Sequence, residues 1–232
     1  SANKPEADEK SYGAVITGPI IKDRLFFTAA YEKFKGSETF NTGPAGSGFA
    51  NEVDDVTQAD VDRVTSIMNN VYGFDPLGVP TSGATQDERF YVKLNGFITD
   101  NHRFELAYQD TFGDTIVPQN TSASQGNLGL LSNAYARSED LEAYSARIFS
   151  DWTDQFSTEM RVSYQDRVTG QESFNGTEFA QFEITTPGGG SIFVGPDTFR
   201  HGNALSSNVW NIKFKAEYDA GSHLIKTGYE RD

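Results

Sequence analysis

Cysteine is absent from the sequence, and basic residues are scarce in it. Without cysteine the chain has no disulfide, no thiolate metal site and no cysteine nucleophile. The 19 Lys and Arg residues stand against 33 Asp and Glu, which gives a formal net charge of −14. Because affinity for nucleic acid comes from Lys and Arg that neutralise phosphates, we expect no nucleic-acid partner.

The sequence also lacks long apolar runs. No stretch approaches the roughly 18 uninterrupted apolar residues of a membrane-spanning helix. Hydrophobic residues make up 37% of the chain, which is little for a soluble core that must offset the loss of chain entropy. Aromatic residues reach 13%, which is too many for a disordered acidic chain. The composition therefore disfavours an ordinary globular core and excludes full disorder.

What the sequence does contain is an alternation of apolar and polar residues, repeated in four pairs of runs. Within each pair the two runs are joined by a polar turn of three or four residues. This pattern predicts eight strands in four hairpins. The predicted strands are 12–21 and 25–35, 89–99 and 103–112, 141–152 and 156–166, and 208–218 and 223–231.

The connections between the hairpins are long, in contrast to the turns within them. They cover residues 36–88, 113–140 and 167–207, so short and long connections alternate strictly. A soluble sandwich has no reason to sort its connections by length, whereas outer-membrane barrels have short periplasmic turns and long extracellular loops. The alternation predicts an all-β fold in which residues 1–232 form an antiparallel transmembrane β-barrel segment in a Gram-negative outer membrane.

Each predicted strand has one apolar and one polar face. Charges in mid-strand suit a wide barrel interior, and aromatic residues at both strand ends suit two interfacial girdles. A soluble antiparallel sheet with its apolar face on a core is the alternative. The residues predicted to face the lumen are Lys93, Arg103, Glu105, Glu159, Arg161, Lys213 and Glu217. The predicted girdles are Phe104, Trp152, Phe156 and Tyr218 beside the turns, and Phe34, Tyr108, Tyr144, Tyr164 and Trp210 toward the long loops.

The first long loop contains a helix signal. Thr57 and Asp60 match a capping box, and Gly73 marks a C-terminal stop. Together they predict a helix over residues 58–72 that packs the loop onto neighbouring loops. Its apolar side consists of Val61, Val64, Met68 and Val71, with Val56 and Val61 as a hydrophobic staple.

Acidic residues dominate the same loop, which has nine of them against the single base Arg63. Carboxylates of this kind are the hard oxygen ligands that Ca²⁺ prefers, and the predicted positions are Glu52, Asp54 and Asp55. The spacing is not that of an EF-hand, so a solvated acidic loop is the alternative. No other cofactor is expected.

Five phenylalanines in the third long loop form a further candidate site. We expect them either to make an apolar lip for a peptide or sugar, or to belong to a small β-structure of the loop itself. They are Phe174, Phe179, Phe182, Phe193 and Phe199.

An enzymatic function is not expected. His102, His201 and His223 have no spacing typical of a metal site or a general base, and two of them lie in or beside short turns. Nucleophile-elbow, phosphate-loop and dinucleotide fingerprints are absent as well.

Two stretches of the chain resemble a known family. Residues 18–27, GPIIKDRLFF, followed by AYE at 30–32, resemble the early barrel hairpin of TonB-dependent outer-membrane receptors, especially the Oar-like branch with its carboxypeptidase-regulatory-like domain. Residues 195–203, GPDTFRHGN, and 223–229, HLIKTGY, are similar to a later loop and hairpin of that branch.

The resemblance implies a 22-stranded barrel filled by a plug domain, in which TonB uses the inner-membrane proton gradient to drive uptake of a scarce peptide, sugar or metal chelate. The implied partners are membrane lipid, the protein's own plug, TonB through a missing N-terminal region, and a small solute or peptide. The plug, the TonB box and the terminal aromatic strand are not found here, so we expect an internal piece of a longer receptor. A passive porin and a soluble carbohydrate-binding β-sandwich are the alternatives.

Overall fold

The computed structural model describes residues 9–200 and 202–232. These residues form thirteen strands, one α-helix and two short 3₁₀ turns. In chain order the strands and the helix are β1 Lys10–Ile21, β2 Leu25–Thr39, β3 Thr42–Ala45, β4 Asn51–Thr57, α1 Gln58–Tyr72, β5 Ser82–Thr99, β6 His102–Val117, β7 Asn127–Gly129, β8 Tyr135–Thr153, β9 Phe156–Ser173, β10 Phe182–Thr185, β11 Ser191–Val194, β12 Ala204–Asp219 and β13 Leu224–Arg231.

Eight of these strands form one large sheet in the order β1-β2-β5-β6-β8-β9-β12-β13. Every neighbouring pair in it is antiparallel, and the four predicted hairpins are all present. Because each short turn reverses the chain at the same end of the sheet, the three long connections meet at the other end. The all-β class and the eight-stranded antiparallel arrangement are thus confirmed.

The strands extend further than predicted at the end that carries the long connections. β5 begins at Ser82 rather than at residue 89, and β9 ends at Ser173 rather than at residue 166. The long connections therefore cover 40–81, 118–134 and 174–203, and the predicted bounds 36–88, 113–140 and 167–207 were too wide. The added segments are mostly polar on both faces, so no apolar alternation marks them, yet they pair in register with their neighbours.

Helix α1 has the predicted bounds because both of its ends carry local signals. The Thr57 hydroxyl accepts a hydrogen bond from the Asp60 N–H (3.2 Å), and the Asp60 carboxylate accepts one from the Thr57 N–H (3.0 Å). Gly73 ends the helix with a φ of 64°, a left-handed conformation that glycine adopts without strain. Among the described residues no helix is both long enough and apolar enough to span a membrane.

The three long connections fold together into one unit, here called the loop module (residues 40–81, 118–134 and 174–203). Within it β11 pairs antiparallel with β10 and parallel with β7, while β3 and β4 form a separate parallel pair. Its core draws on all three connections and consists of Val53, Val56, Val61, Val64, Met68, Phe74, Leu128, Leu130, Ile192 and Val194. The expected packing of α1 and its loop onto the neighbouring loops is confirmed. Val71 was wrongly included, since it is 71% exposed and lies about 80° round the helix from Val61.

Polar contacts also hold the loop module together. The fully buried Asn133 donates from Nδ2 to the Gly195 carbonyl (2.9 Å) and accepts at Oδ1 from Asn120 Nδ2 (2.8 Å). The Thr186 hydroxyl donates to the Asp55 carbonyl (2.6 Å), which ties the third connection to the first. Buried polar groups need such partners, so these bonds fix one arrangement of the three connections.

Candidate functional site

The register of the large sheet sorts its side chains onto two faces. Across five neighbouring strands one row of the apolar face runs Leu94, Leu106, Ala146, Val162 and Ile212. Many large side chains of this face are 40–62% exposed, among them Phe90, Leu106, Ile148, Met160, Ile212, Phe214 and Tyr229. In the described part of the chain the apolar face is therefore open, and no second layer seals it.

A row of aromatic rings crosses the apolar face at the end nearer the long connections. Tyr108, Tyr144, Tyr164 and Trp210 are register partners on β6, β8, β9 and β12. Successive ring centroids are 4.9, 6.4 and 4.8 Å apart, and Phe90 continues the row at 6.3 Å from Tyr108. We call these five residues the loop-end aromatic row.

A second aromatic row lies eight positions away, next to the short turns. It consists of Trp152, Phe156 and Tyr218, each on the same strand as one member of the loop-end row. Phe156 and Tyr218 are register partners, and Trp152 donates from Nε1 to Thr158 Oγ1 (2.9 Å), which places its ring on the apolar face. We call these three residues the turn-end aromatic row.

Two residues of the predicted girdles, Phe104 and Phe34, do not lie in either aromatic row. Phe104 lies on the apolar face between the two rows, since it pairs with Ile148. Phe34 was wrongly assigned, because it pairs with Asp87 and so lies on the polar face.

Carboxylates limit the apolar face just beyond the loop-end row. Asp110, Glu142 and Asp166 are register partners, each two residues from a tyrosine of that row and closer to the long connections. The apolar face is therefore a band, with an aromatic row at each edge and charge beyond the loop-side edge.

On the polar face, charged residues of neighbouring strands form ion pairs. Glu105 contacts both Lys93 (3.2 Å) and Arg147 (3.8 Å), and Arg147 also contacts Glu159 (3.5 Å). Glu230 contacts both Arg161 (3.7 Å) and Lys213 (3.4 Å), and Glu217 contacts Lys215 and Lys226. Arg103 places its guanidinium over the Phe149 ring, 3.9 Å from the centroid. All seven residues predicted to face the lumen lie on this face: Lys93, Arg103, Glu105, Glu159, Arg161, Lys213 and Glu217.

The predicted set omitted four members of this network, namely Arg147, Lys215, Lys226 and Glu230. Arg147 sits in the same alternating frame of β8 as Phe149 and Ser145, so the alternation could have identified it. Glu230 follows the frame of β13 and pairs with Lys213. Most ion pairs of this network thus join neighbouring strands.

Of the three predicted calcium ligands, Glu52 has a carboxylate that makes other contacts. Glu52 accepts hydrogen bonds from the Gly46 and Gly48 N–H groups (2.8 Å each), and these bonds hold the pKa of its carboxyl below the ordinary value. The Asp55 backbone carbonyl accepts from Thr186, and Asp54 is exposed. Within residues 9–200 and 202–232 no group of three or more His, Asp or Glu side chains is placed to hold a metal ion. The Glu52 carboxylate thus serves the turn at residues 46–48.

The five phenylalanines of the predicted lip do not share one surface. Phe193 is only 9% exposed and lies in β11, so it belongs to the small β-structure and not to a lip. Phe179 is partly buried and stacks on Phe74 at 4.1 Å. Phe182 contacts Phe179 at 5.6 Å and is 38% exposed, as is Phe174, while Phe199 is 79% exposed.

The two histidines in the described part of the chain, His102 and His223, lie in different hairpins. His102 packs its ring against Trp152 at 5.0 Å on the apolar face, and His223 lies in the turn before β13. His201 lies outside the described residues.

Comparisons with known proteins give a likeness to solved structures. No protein-family model matches the sequence, and no curated protein matches it. Among solved structures, a CymD monoaromatic hydrocarbon channel is similar with 11% sequence identity and a TM-score of 0.34. The match covers 97% of this chain and 62% of the channel, so this chain spans less than two thirds of the channel's length.

Proposed function

We propose that the chain is part of the barrel wall of a TonB-dependent outer-membrane receptor, which takes up a scarce solute with energy from the inner-membrane proton gradient. In this proposal the apolar face contacts lipid, the polar face lines the lumen, the short turns are periplasmic and the loop module is extracellular. The plug and the TonB-binding segment belong to parts of the receptor outside these 232 residues.

The observation that carries the proposal is the open apolar band between two aromatic rows. Trp210 and Tyr218 are eight residues apart on β12, about 26 Å along a strand. With strands tilted about 40°, this separation becomes about 20 Å along the membrane normal, close to the roughly 25 Å apolar band of outer-membrane barrels. Aromatic side chains at both edges match the interfacial girdles of such barrels.

The polar face supports the same orientation. Its charges pair across strands at 3.2–3.8 Å and are partly exposed, which suits a solvated interior. In hydrocarbon, unpaired backbone groups cost several kcal/mol each, so strands β1 and β13 need further strands at their outer edges. Closure with additional strands of the receptor would supply them.

The test uses the full-length protein. We expect it to bind the purified periplasmic domain of TonB and, when inserted in planar bilayers, to give no steady ionic conductance because the plug closes the lumen. Steady conductance without TonB binding would instead identify a passive porin. A protein that stays in the aqueous phase during detergent phase partition would be a soluble sheet, and the proposal would be wrong.

A further inference from the structure

A cavity of about 520 Å³ lies on the polar face beside the loop module. This volume is within the range of about 300–1,000 Å³ that is usual for small-molecule sites. Strands β1, β2, β5, β6 and β8 all contribute to its wall. The side chains that matter for its chemistry are Glu32, Phe34, Asp87, Arg89, Arg137 and Glu139.

One position in the middle of the cavity wall has no side chain. Gly113 lies in the register row Phe34, Asp87, Gly113 and Glu139. A Cβ atom at Gly113 would lie 3.6 Å from the Gln86 carbonyl oxygen and 3.8 Å from Asp87 Oδ2, which are ordinary contact distances. A larger residue could therefore be built there, and it would occupy part of the cavity.

The charges in the wall leave two carboxylates without an ion pair among the described residues, Asp114 and Glu32, and of these Glu32 is the exposed one. Arg89 pairs with Asp87 on its own strand at 2.8 Å, and Arg137 pairs with Glu139. Both arginines are thus neutralised inside the wall. Glu32 is exposed, lies opposite Arg89 in the register, and forms no ion pair with any residue in the described part of the chain.

The loop module adds a negative field above the cavity. Its three segments contain nine Asp and Glu residues, and their basic residues are Arg63 and Arg200, which gives a net charge of −7. A surface of one sign raises the local concentration of solutes of the opposite sign and speeds their arrival. The local concentration of cations is therefore raised near the loop module before they reach Glu32.

We propose that this cavity binds an organic cation, with Glu32 holding a primary amine or guanidinium group and the Phe34 ring forming an adjacent wall. A short basic peptide has this chemistry and a suitable size. The inference rests on the proposed function in that the polar face is the side that meets solute. Cation–π attraction to Phe34 adds to the charge-assisted hydrogen bond at Glu32.

The test is calorimetric titration of the full-length protein in detergent with a trilysine peptide, and with triglutamate as the probe of opposite charge. We expect trilysine to bind, triglutamate not to bind, and the trilysine Kd to rise about 10-fold in Glu32→Gln, as loss of a charge-assisted hydrogen bond implies. Asp166→Asn is the matched control, because it removes the same charge at a similar height on the opposite face, and its Kd should stay within about twofold. Binding should also weaken as salt rises, since surface electrostatics are screened.

A second variant tests the cavity itself. Gly113→Leu should weaken trilysine binding, because its side chain occupies part of the cavity, while leaving the near-ultraviolet circular dichroism spectrum unchanged. Undetectable trilysine binding to the unmodified protein, or equal Kd values for Glu32→Gln and Asp166→Asn, would overturn the inference. These outcomes do not depend on TonB binding or membrane insertion, so the inference and the proposed function are tested independently of each other.

Discussion

The depth of the two tryptophans in a bilayer is the most direct consequence of the proposed orientation. Trp152 and Trp210 are the two tryptophans of these 232 residues, and they lie in the turn-end and loop-end rows, each 57% exposed. Eight residues of a strand tilted about 40° separate the two rows by about 20 Å along the membrane normal. Each indole should therefore lie about 10 Å from the bilayer centre, on opposite sides of it.

Single-tryptophan variants turn this geometry into a measurement. Any tryptophan of the receptor outside these 232 residues is first replaced by phenylalanine. In vesicles with bromine near the headgroups or near the chain ends, the emission of Trp152→Phe and of Trp210→Phe in that background should then be quenched more by the shallow bromine, and to a similar extent. Phe214→Trp in a background without the native tryptophans is the matched control, since residue 214 lies midway between the rows, and the deep bromine should quench it most. If bromine at neither depth quenched the two native tryptophans, lipid would not touch the apolar face and the reasoning would be refuted.

Three further predictions concern the loop module. Leu128→Ala should lower the free energy of opening of α1 by about 3 kcal/mol in hydrogen exchange, because Leu128 is fully buried in the shared core; an unchanged exchange rate would contradict a joint core. Thr57→Ala should destabilise the first turn of α1 by about 1 kcal/mol through loss of the cap on the Asp60 N–H, with Thr57→Ser as the variant that retains it. Because the folded-state pKa of Glu52 is lowered, its stabilisation of the turn at residues 46–48 should be complete above the ordinary carboxyl pKa and disappear as pH falls through the lowered value. Amide hydrogen exchange at Gly46 and Gly48, corrected for intrinsic rates, should show that protection of these two amides decreases at low pH in the unmodified protein. In Glu52→Gln the protection should not change with pH in this way.

Features set by neighbouring residues could be predicted from the sequence, and features set by distant ones could not. The bounds of α1 follow from a cap at Thr57 and a left-handed glycine at residue 73, both local to the helix. The hairpins follow from polar turns between alternating runs. In contrast, the pairing of β11 with β7 joins Ile192 to Leu128, which are far apart in the sequence, and no local pattern specifies such a contact.

The candidate sites show the same division. The alternation of polar and apolar residues correctly assigned the predicted charged residues to one face of the sheet. This works because successive side chains of a strand point to opposite faces. The sequence did not indicate that Glu105 and Glu230 each join two basic residues, since that depends on the register between strands. Composition also could not show whether Glu52 binds calcium or accepts hydrogen bonds from the backbone of a turn, because a carboxylate can do either.

The distribution of apolar residues supports contact with lipid over contact with water. The buried core consists mainly of valine, leucine and isoleucine in the loop module, whereas large aromatic and aliphatic side chains of the sheet point outward and remain open. Burying one large apolar side chain contributes about 1.5–3 kcal/mol, so leaving seven of them 40–62% exposed to water forgoes on the order of 5–10 kcal/mol. This is comparable to the whole stability of about 5–15 kcal/mol of a typical domain. Acyl chains against the apolar band would recover that free energy without any second layer of protein.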